Sequence, residues 1–304
     1  MLSRAATLLT SAITAFAVLC PGNCRNIPQR CVAAEVVGPE EAASVAEKDA
    51  IVFSFKLHYR EAGQGPAVIL LHGLGGDGSR WTPTMTALAS DFRVIALDQI
   101  GFGASDKPLV NYDHGLLAEF LVEFMNTIDV PKASLVGHSM GGFVAMYAAV
   151  HYPDMVDRLV LLDGGGFVNA PRSPHLVQIQ NGTTLGETRE YFQLMFYDKS
   201  RVTEQMVREN YVRRLQASYT ISRMQEARAN NLAIITEEQG RRIDAPTLIL
   251  WGQHDELLDP SIAAELDRVI PNSRAVLFEE CGHIPQAEQP EQFNQLVHEF
   301  LIAE

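Results

Sequence analysis

The chain has 304 residues, of which 47% are hydrophobic and 20% charged, and its formal net charge is −13. This composition is typical of a globular protein with a sizeable core, built as one large domain or two small ones. Nucleic acids and anionic membrane surfaces are bound by basic patches, so the acidic balance argues against both and leaves a small molecule as the expected partner. Nothing in the composition indicates an oligomeric state.

The N-terminal segment has the pattern of an export signal. Arg4 precedes the uncharged, mostly apolar run Ala5–Leu19, which is too short to span a bilayer comfortably and is typical of a signal peptide. Small residues before Glu35 favour cleavage there. We therefore predict a signal and processing region at 1–34, a mobile lead-in at 35–49, and an exported protein (periplasmic or secreted) without stable membrane association. The alternative is an uncleaved anchor.

Only one of the four cysteines follows the predicted cleavage point. Cys281 is therefore alone in the mature chain, and no disulfide framework is expected. We interpret Cys281 as a small apolar filler rather than a catalytic residue, although it lies two residues before His283.

Strand-like segments alternate with helical ones along most of the chain. Ile51–Tyr59 alternates like a half-buried strand, and helical spacing appears at Leu116–Thr127 and Pro260–Ile270. Continuous Val, Ile and Leu blocks predict further strands, which are covered on both faces as in a parallel sheet. These strands are Ala67–Leu71, Val94–Leu97, Ala133–Val136, Leu159–Leu162, Thr247–Trp251 and Ala275–Phe278. The pattern predicts the α/β fold class: a mostly parallel sheet flanked by helices with right-handed crossovers.

One interval, 165–242, contains no buried strand and has helical patterning throughout. Its predicted helices are Thr184–Met195, Thr203–Gln216 and Ser222–Asn230. We interpret it as an inserted helical cap that divides the core into a first part at 50–164 and a second part at 243–304. The cap contains apolar residues that suit either a substrate pocket or its own core (Phe192, Leu194, Met195, Phe196, Tyr197). It also contains arginines, any of which is a candidate for binding a substrate carboxylate (Arg189, Arg201, Arg208, Arg213, Arg214, Arg223).

The most informative motif is Gly137-His-Ser-Met-Gly141, which lies between a predicted strand and the predicted helix Phe143–His151. A G-x-S-x-G sequence on such a turn places its serine in strained geometry above the sheet, where the first amides of the helix face a developing oxyanion. We therefore predict that Ser139 is a nucleophile.

A nucleophilic serine needs a base and a carboxylate that orients it. His283 follows the last predicted strand, at the carboxyl edge of the sheet where functional groups collect. Asp255 follows the preceding strand, which gives the chain order Ser139, Asp255, His283. Asp163 is the rival carboxylate, and we expect it to cap the turn that leads into the cap. The neighbouring Glu256 is expected to be solvated.

Two backbone N–H groups are expected to complete an oxyanion hole. One belongs to Met140, which follows the nucleophile, and the other to Leu74 in the loop after Leu71. The same loop also fits a dinucleotide-binding fingerprint, Gly73–Gly78 followed by Asp98. We reject that alternative because the segment after Gly78 is expected to continue as a loop before a short helix, and because Asp98 leads into a tight turn where an aspartate usually binds backbone.

Together these motifs resemble those of the α/β-hydrolase fold superfamily, in its lid-bearing serine hydrolase form. The resemblance spans about residues 50 to 303 and rests on five segments: His72–Gly76, Asp98–Ser105, Gly137–Gly142, the Asp255 loop and Gly282–His283. It implies an eight-stranded type of sheet and acyl transfer without a metal or organic cofactor. Epoxide hydrolases and haloalkane dehalogenases of this superfamily use an aspartate where Ser139 stands.

The expected reaction is hydrolysis of a small, largely apolar ester through an acyl-enzyme on Ser139. Two alternatives stay open. One is hydrolysis of a carbon–carbon bond in a vinylogous diketone; relatives with that activity often carry an aromatic residue after the catalytic histidine, where this chain has Ile284. The other is a ligand-binding protein whose triad turns over slowly or not at all.

Overall fold

Eight strands form one sheet in this computed structural model, which describes residues 44–167 and 184–303. The strands are β1 Ala46–Val52, β2 Phe55–Ala62, β3 Ala67–Leu71, β4 Arg93–Leu97, β5 Ala133–His138, β6 Val156–Leu162, β7 Thr247–Gly252 and β8 Ser273–Phe278. Their order across the sheet is β1-β2-β4-β3-β5-β6-β7-β8. β2 pairs antiparallel with both β1 and β4, and every other neighbouring pair is parallel. The predicted fold class is confirmed.

The central strands are apolar on both faces because helices cover both sides of the sheet. Along β3, Ile69 and Leu71 belong to the apolar cluster on one face, while Val68 and Leu70 belong to the cluster on the other. β5 and β7 are buried along their whole length. This two-sided burial explains why these strands are continuous apolar runs rather than alternating ones.

The first strand segment differs from the prediction. Ile51–Tyr59 is not one strand: it contains a tight turn at Phe53 and Ser54, whose φ angles are 49° and 69°. β1 therefore begins at Ala46 and pairs with β2, and the prediction of a mobile lead-in at 35–49 is wrong for residues 46–49. The turn lacks the glycine, proline or asparagine that usually marks such a position. The alternation of apolar and polar residues therefore continues through it, and the sequence gives no sign of the turn.

The helices lie between the strands and in the cap. They are α1 Thr82–Leu88, α2 His114–Thr127, α3 Met140–His151, α4 Leu185–Leu194, α5 Glu204–Gln216, α6 Ser218–Ala229, α7 Glu237–Gly240, α8 Ser261–Val269, α9 Pro285–Glu288 and α10 Pro290–Ile302. Thr184 and Thr203 cap α4 and α5 by accepting hydrogen bonds from backbone N–H groups of the first turn. The predicted cap helix Ser222–Asn230 is longer than expected and begins at Ser218.

All described residues belong to one compact unit, Ala42–Glu304. The predicted signal region at 1–34 lies outside the described residues. Between 44 and 167 and between 184 and 303, no helix combines the length and apolar character needed to cross a bilayer.

Candidate active site

Ser139 occupies the sharp turn between β5 and α3. Its backbone has φ 50° and ψ −117°, a conformation that is costly for a residue with a side chain. Its N–H donates a 2.9 Å hydrogen bond to Leu162 O at the end of β6, which holds the turn against the sheet. A Cβ on Gly137 would lie 2.3 Å from Gly141 O, so the turn closes this tightly only with glycine there. α3 begins at the next residue, Met140, earlier than the predicted start at Phe143.

His283 and Asp255 form a buried hydrogen-bonded pair. The distance from His283 Nδ1 to Asp255 Oδ2 is 2.7 Å, and neither side chain is more than 2% exposed. Asp255 Oδ1 accepts hydrogen bonds from the N–H groups of Leu257 and Leu258, at 2.8 and 3.0 Å. Because Nδ1 donates to the carboxylate, Nε2 of the neutral ring carries the lone pair. This is the tautomer that a general base for Ser139 requires.

His138 supports the same histidine from β5, a contact that sequence reasoning missed. Its Nε2 lies 2.8 Å from His283 O, and since a carbonyl only accepts, Nε2 carries the proton. Burial lowers the pKa of His138 to about 3, with a contribution from the neighbouring His283. The ring is therefore neutral near pH 7. The sequence did offer one indication of this role, because His138 directly precedes the predicted nucleophile Ser139.

The cap is hydrogen-bonded to the loop that carries His283. The His283 N–H donates to Met195 O at 2.8 Å, just after α4. Glu288 joins the two elements, since its carboxylate accepts from Gly282 N at 2.7 Å and from Tyr197 N at 3.0 Å. Backbone groups of the cap and of the histidine loop, together with the Glu288 carboxylate, therefore form one hydrogen-bonded assembly.

Two nearby residues have roles that bear on the sequence predictions. Cys281 is buried, and burial raises the pKa of its thiol above the ordinary value, which suits an unreactive filler. We expected Asp163 to cap the turn that leads into the helical insertion, but its carboxylate has a different partner. Its Oδ1 accepts a 2.8 Å hydrogen bond from Gly252 N at the end of β7, because the carboxyl ends of β6 and β7 are neighbours in the sheet.

The loop after β3 is held by a buried histidine. His72 Nδ1 donates to Gly73 O at 2.8 Å, and its Nε2 accepts from Gln99 N at 3.2 Å. Burial lowers the pKa of His72, which favours this neutral form. The loop brings Leu74 to the same cavity as Ser139 and Met140. The N–H of Met140 belongs to the first turn of α3, where backbone amides lack an intrahelical acceptor.

The dinucleotide fingerprint has a structural explanation. Asp98 accepts hydrogen bonds from Gly78 N at 2.6 Å and from Ala104 N at 2.8 Å, so its carboxylate binds backbone as predicted. The segment Gly78–Trp81 forms a turn of 3₁₀-helix that leads directly into α1. We expected a loop to continue after Gly78 before a short helix; the helical turn begins at Gly78 instead, because Asp77 accepts from Ser79 N and caps it.

The cavity beside Ser139 has two lobes that share Leu74, Ser139, Tyr191 and His283. The first, here called the Phe143 lobe, combines apolar side chains with His114, Gln225 and the cation Arg228. Its remaining lining residues are His114, Met140, Phe143, Met224, Gln225, Arg228, Leu257 and Leu258. The second, here called the Arg80 lobe, contains more polar groups. Its remaining lining residues include His72, Arg80, Trp81, His138, Phe192, Met195, Asn210, Ile284, Gln286 and Ala287.

The Arg80 lobe presents both donors and acceptors. The Arg80 guanidinium lies 5.8 Å from the centre of the Phe192 ring. Burial lowers the pKa of Arg80, as does the nearby Arg213, but an arginine stays charged at neutral pH. Within the described part of the chain, the buried Asn210 Oδ1 and Gln286 Oε1 have no hydrogen-bond partner. The lobe therefore offers one cation and two acceptors beside Ser139.

The predicted cap arginines mostly serve structural contacts. Arg189 pairs with Glu204, and Arg213 pairs with Asp77 at 2.7 Å. The arginine that reaches the cavity from the core is Arg80, which sequence reasoning did not select because nothing local distinguishes it. Among the apolar cap residues, Phe192 and Phe196 pack with Val207 and Ile284, while Tyr197 is exposed.

The chain belongs to the alpha/beta hydrolase fold family, whose model matches residues 66–290. It is thus a hydrolase by family and fold. It is 29% identical over 273 residues to the 2-hydroxy-6-oxo-6-phenylhexa-2,4-dienoate hydrolase of Comamonas testosteroni, covering 85% of this chain and 95% of that protein.

Two solved structures resemble it across the same region. A meta-cleavage product hydrolase from Pseudomonas fluorescens IP01 has a TM-score of 0.77 at 30% identity, covering 84% of this chain and 97% of its own. A membrane phospholipase A has a TM-score of 0.78 at 30% identity, covering 84% of this chain and 86% of its own.

Proposed function

We propose that this protein is a serine hydrolase that cleaves a carbon–carbon bond in a vinylogous diketone carrying a carboxylate. The observation that carries the proposal is the Arg80 lobe, which presents one cation and two buried acceptors beside Ser139 and meets the Phe143 lobe at that residue. The dienoate named for the Comamonas relative has the matching polarity, with a carboxylate and hydroxyl at one end and a phenyl ketone at the other.

In the proposed reaction, His283 takes the proton from Ser139, whose oxygen adds to the ketone carbon. Backbone N–H groups of Leu74 and Met140 are assigned to the resulting oxyanion. The dienol must first tautomerise to the diketone, which moves the hydroxyl proton to the carbon beside the ketone. When the bond between that carbon and the ketone carbon breaks, its electron pair delocalises onto the C2 oxygen as a dienolate, and the proton held by His283 neutralises the dienolate. Water then hydrolyses the acyl-enzyme with His283 as base, which releases a carboxylic acid and Ser139.

The Arg80 lobe is suited to the dienoate end of such a substrate. A carboxylate there would be bound by Arg80 through a charge-assisted hydrogen bond. The substrate hydroxyl would donate to Asn210 Oδ1 or Gln286 Oε1, which are otherwise unpartnered among the described residues. The positive charge also faces the end toward which electrons move when the bond breaks, so it stabilises the transition state.

Hydrolysis of a carboxylic ester with an apolar acyl group is the second candidate. Ile284 favours it, because this residue packs with Phe192, Phe196 and Val207 of the cap and supplies no aromatic ring to the cavity. The membrane phospholipase A is also similar over 84% of this chain.

A substrate panel with matched variants separates the two candidates. Purified protein is assayed with 2-hydroxy-6-oxo-6-phenylhexa-2,4-dienoate, short and long nitrophenyl esters, and a phosphatidylcholine. We expect dienoate turnover that Ser139→Ala abolishes. Arg80→Met should lower kcat/KM for the dienoate about ten- to a hundredfold, as expected from losing a hydrogen bond to a charged group. The same substitution should leave the uncharged esters nearly unchanged.

Other results on the same panel would overturn the proposal. Ester or phospholipid turnover without dienoate turnover supports the second candidate and overturns the first. A wild-type protein that neither turns over any member of the panel nor reacts at Ser139 with a fluorophosphonate is a binding protein.

We also propose that the protein is exported, on the basis of the apolar run Ala5–Leu19. Intact mass measurement of the protein from the producing cells tests this, because cleavage before Glu35 removes a defined mass. A full-length protein found in the cytosol contradicts it.

A further inference from the structure

A second carboxyl group lies behind the His283–Asp255 pair, and the proposed reaction does not use it. Asp163 follows β6 and is completely buried. One of its carboxyl oxygens lies within 4.8 Å of both an Asp255 carboxylate oxygen and a His283 ring nitrogen. Two acidic groups this close in a buried site cannot both ionise without strong repulsion.

The hydrogen bonds identify which of the two carboxyl groups holds the negative charge. Asp255 accepts three: two from the N–H groups of Leu257 and Leu258, and one from His283 Nδ1. Asp163 accepts one, from Gly252 N through Oδ1, while its buried Oδ2 accepts no hydrogen bond from an N–H group in the described part of the chain. Hydrogen bonds from N–H groups stabilise an ionised carboxylate, so the charge belongs on Asp255.

We propose that Asp163 and Asp255 share one proton, which resides on Asp163, so that a single negative charge faces His283. Asp163 is then a positioning residue that acts through Asp255. This inference rests on the proposed role of His283 as the base. The direction of titration agrees with it, since burial and the neighbouring Asp255 carboxylate raise the pKa of Asp163 well above its usual range.

The other titratable groups around Asp163 leave this arrangement in place. Cys281 and His283 face it from the loop after β8, and Glu288 approaches from α9. Glu288 adds a further negative charge, which disfavours ionisation of Asp163. Cys281 contributes no charge, because burial keeps its thiol protonated.

The arrangement has a consequence for the base. A second ionised carboxylate beside His283 would hold a proton on the ring more strongly, so less of the enzyme would have a free base near neutral pH. The proton on Asp163 prevents this. The same group provides a reserve: without the charge of Asp255, burial still opposes ionisation of Asp163 but the charge repulsion is gone, and Asp163 becomes an alternative partner for His283.

The first experiment detects the protonated carboxyl group of Asp163 and does not depend on activity. Infrared spectra of protein labelled with carboxyl-¹³C aspartate are recorded at pH 7. A protonated carboxyl band is expected in the wild type and absent from Asp163→Asn, which keeps an oxygen for the Gly252 N–H. Absence of the band in the wild type overturns the proposal.

The second experiment measures how Asp163 affects the protonation of His283, through the pH dependence of kcat/KM. With any substrate that the wild type turns over through Ser139, the acidic limb of the kcat/KM profile should move by less than about 0.3 pH unit in Asp163→Asn, since a neutral group replaces a neutral group. A downward shift of about one pH unit or more means that Asp163 was ionised and overturns the proposal. Asp255→Asn should retain measurable turnover that the double variant Asp163→Asn/Asp255→Asn loses. If the wild type is inactive on the whole panel, the proposed function is contradicted, and the infrared spectra alone then test whether Asp163 is protonated.

Discussion

The side chain of His138 donates a 2.8 Å hydrogen bond to the backbone carbonyl of His283, which joins the residue before Ser139 to the proposed base. His138→Leu removes this donor and leaves a buried carbonyl unpaired, at an expected cost of about 1–3 kcal/mol of unfolding free energy. The value of kcat/KM should fall by more than the loss of folded protein explains, because a small displacement of His283 misaligns it with the substrate. Urea unfolding and kcat/KM measure the two effects. His138→Gln keeps an N–H donor and should recover most of both; equal losses in the two variants would contradict the role of the hydrogen bond.

Buried neutral histidines should make the protein sensitive to acid. Burial lowers the pKa of His114 to about 4 and of His138 to about 3, whereas both titrate near 6.5 when unfolded. The unfolded chain therefore binds more protons below about pH 6.5. Stability is complete above that pH and falls as the pH drops toward 4 and then 3, by up to about 1.4 kcal/mol per pH unit and histidine. Denaturant titrations between pH 7 and 4 should show a shallower slope in His114→Gln and in His138→Gln. A slope unchanged in both variants would refute this account.

Gly282 should tolerate no side chain, since a Cβ there would lie 2.6 Å from Met195 O and 2.8 Å from Tyr197 N. Gly282→Ala therefore forces the cap away from the histidine loop, and we expect a loss of about 1–3 kcal/mol together with a lower kcat. Gly186→Ala is the matched control. A Cβ at Gly186, in α4, meets nothing closer than Thr184 Oγ1 at 3.9 Å, so its stability should be unchanged or slightly higher. Thermal unfolding of the two variants compares them, and similar midpoints would show that the close approach is unimportant.

The cap is also tied to the loop after β3 by Asp77 and Arg213, whose side chains are 14% and 27% exposed. Burial alone would raise the pKa of Asp77, but the Ser79 hydroxyl and Arg213 outweigh it and lower the pKa to about 2. The stabilisation is thus present above about pH 3.8 and lost as the pH falls toward 2. Arg213→Met should cost about 1 kcal/mol at pH 7.

Arg241→Met provides the comparison for this ion pair, since Arg241 directly follows α7 and forms an exposed pair with Glu237, which keeps Arg268 as a second partner. Its substitution should change stability by less than about 0.5 kcal/mol. If Arg213→Met is no more destabilising than Arg241→Met in chemical denaturation, the tie between the cap and the loop contributes nothing measurable.

The parts of the molecule that sequence predicts best are those with a strong local pattern. Buried strands such as Ala67–Leu71 and the turn around Ser139 depend on neighbouring residues, and the structure has them where the pattern indicates. His283 and Asp255 follow from the order of strands, and the structure places their side chains in contact.

The remaining features depend on contacts between distant segments. The turn at Phe53 and Ser54 lacks the residues that mark a turn. Arg80 becomes part of the cavity only because Asn210 and Gln286 close the same lobe from the cap and from α9. The environment of Asp163 likewise arises from the adjacency of β6 and β7, which no local pattern contains. Burial and charge at such positions are properties of the assembled sheet and cap.

The hydrogen bond from the His283 N–H to Met195 O has a practical consequence for engineering. Caps of this fold invite exchange as modules when a new specificity is wanted. Here the acceptor is main chain, so no choice of side chain at the graft restores it. A transplanted cap must reproduce the backbone path after α4 before its pocket residues matter, and the productive boundary for such a graft lies after Tyr197 rather than at the start of the insertion.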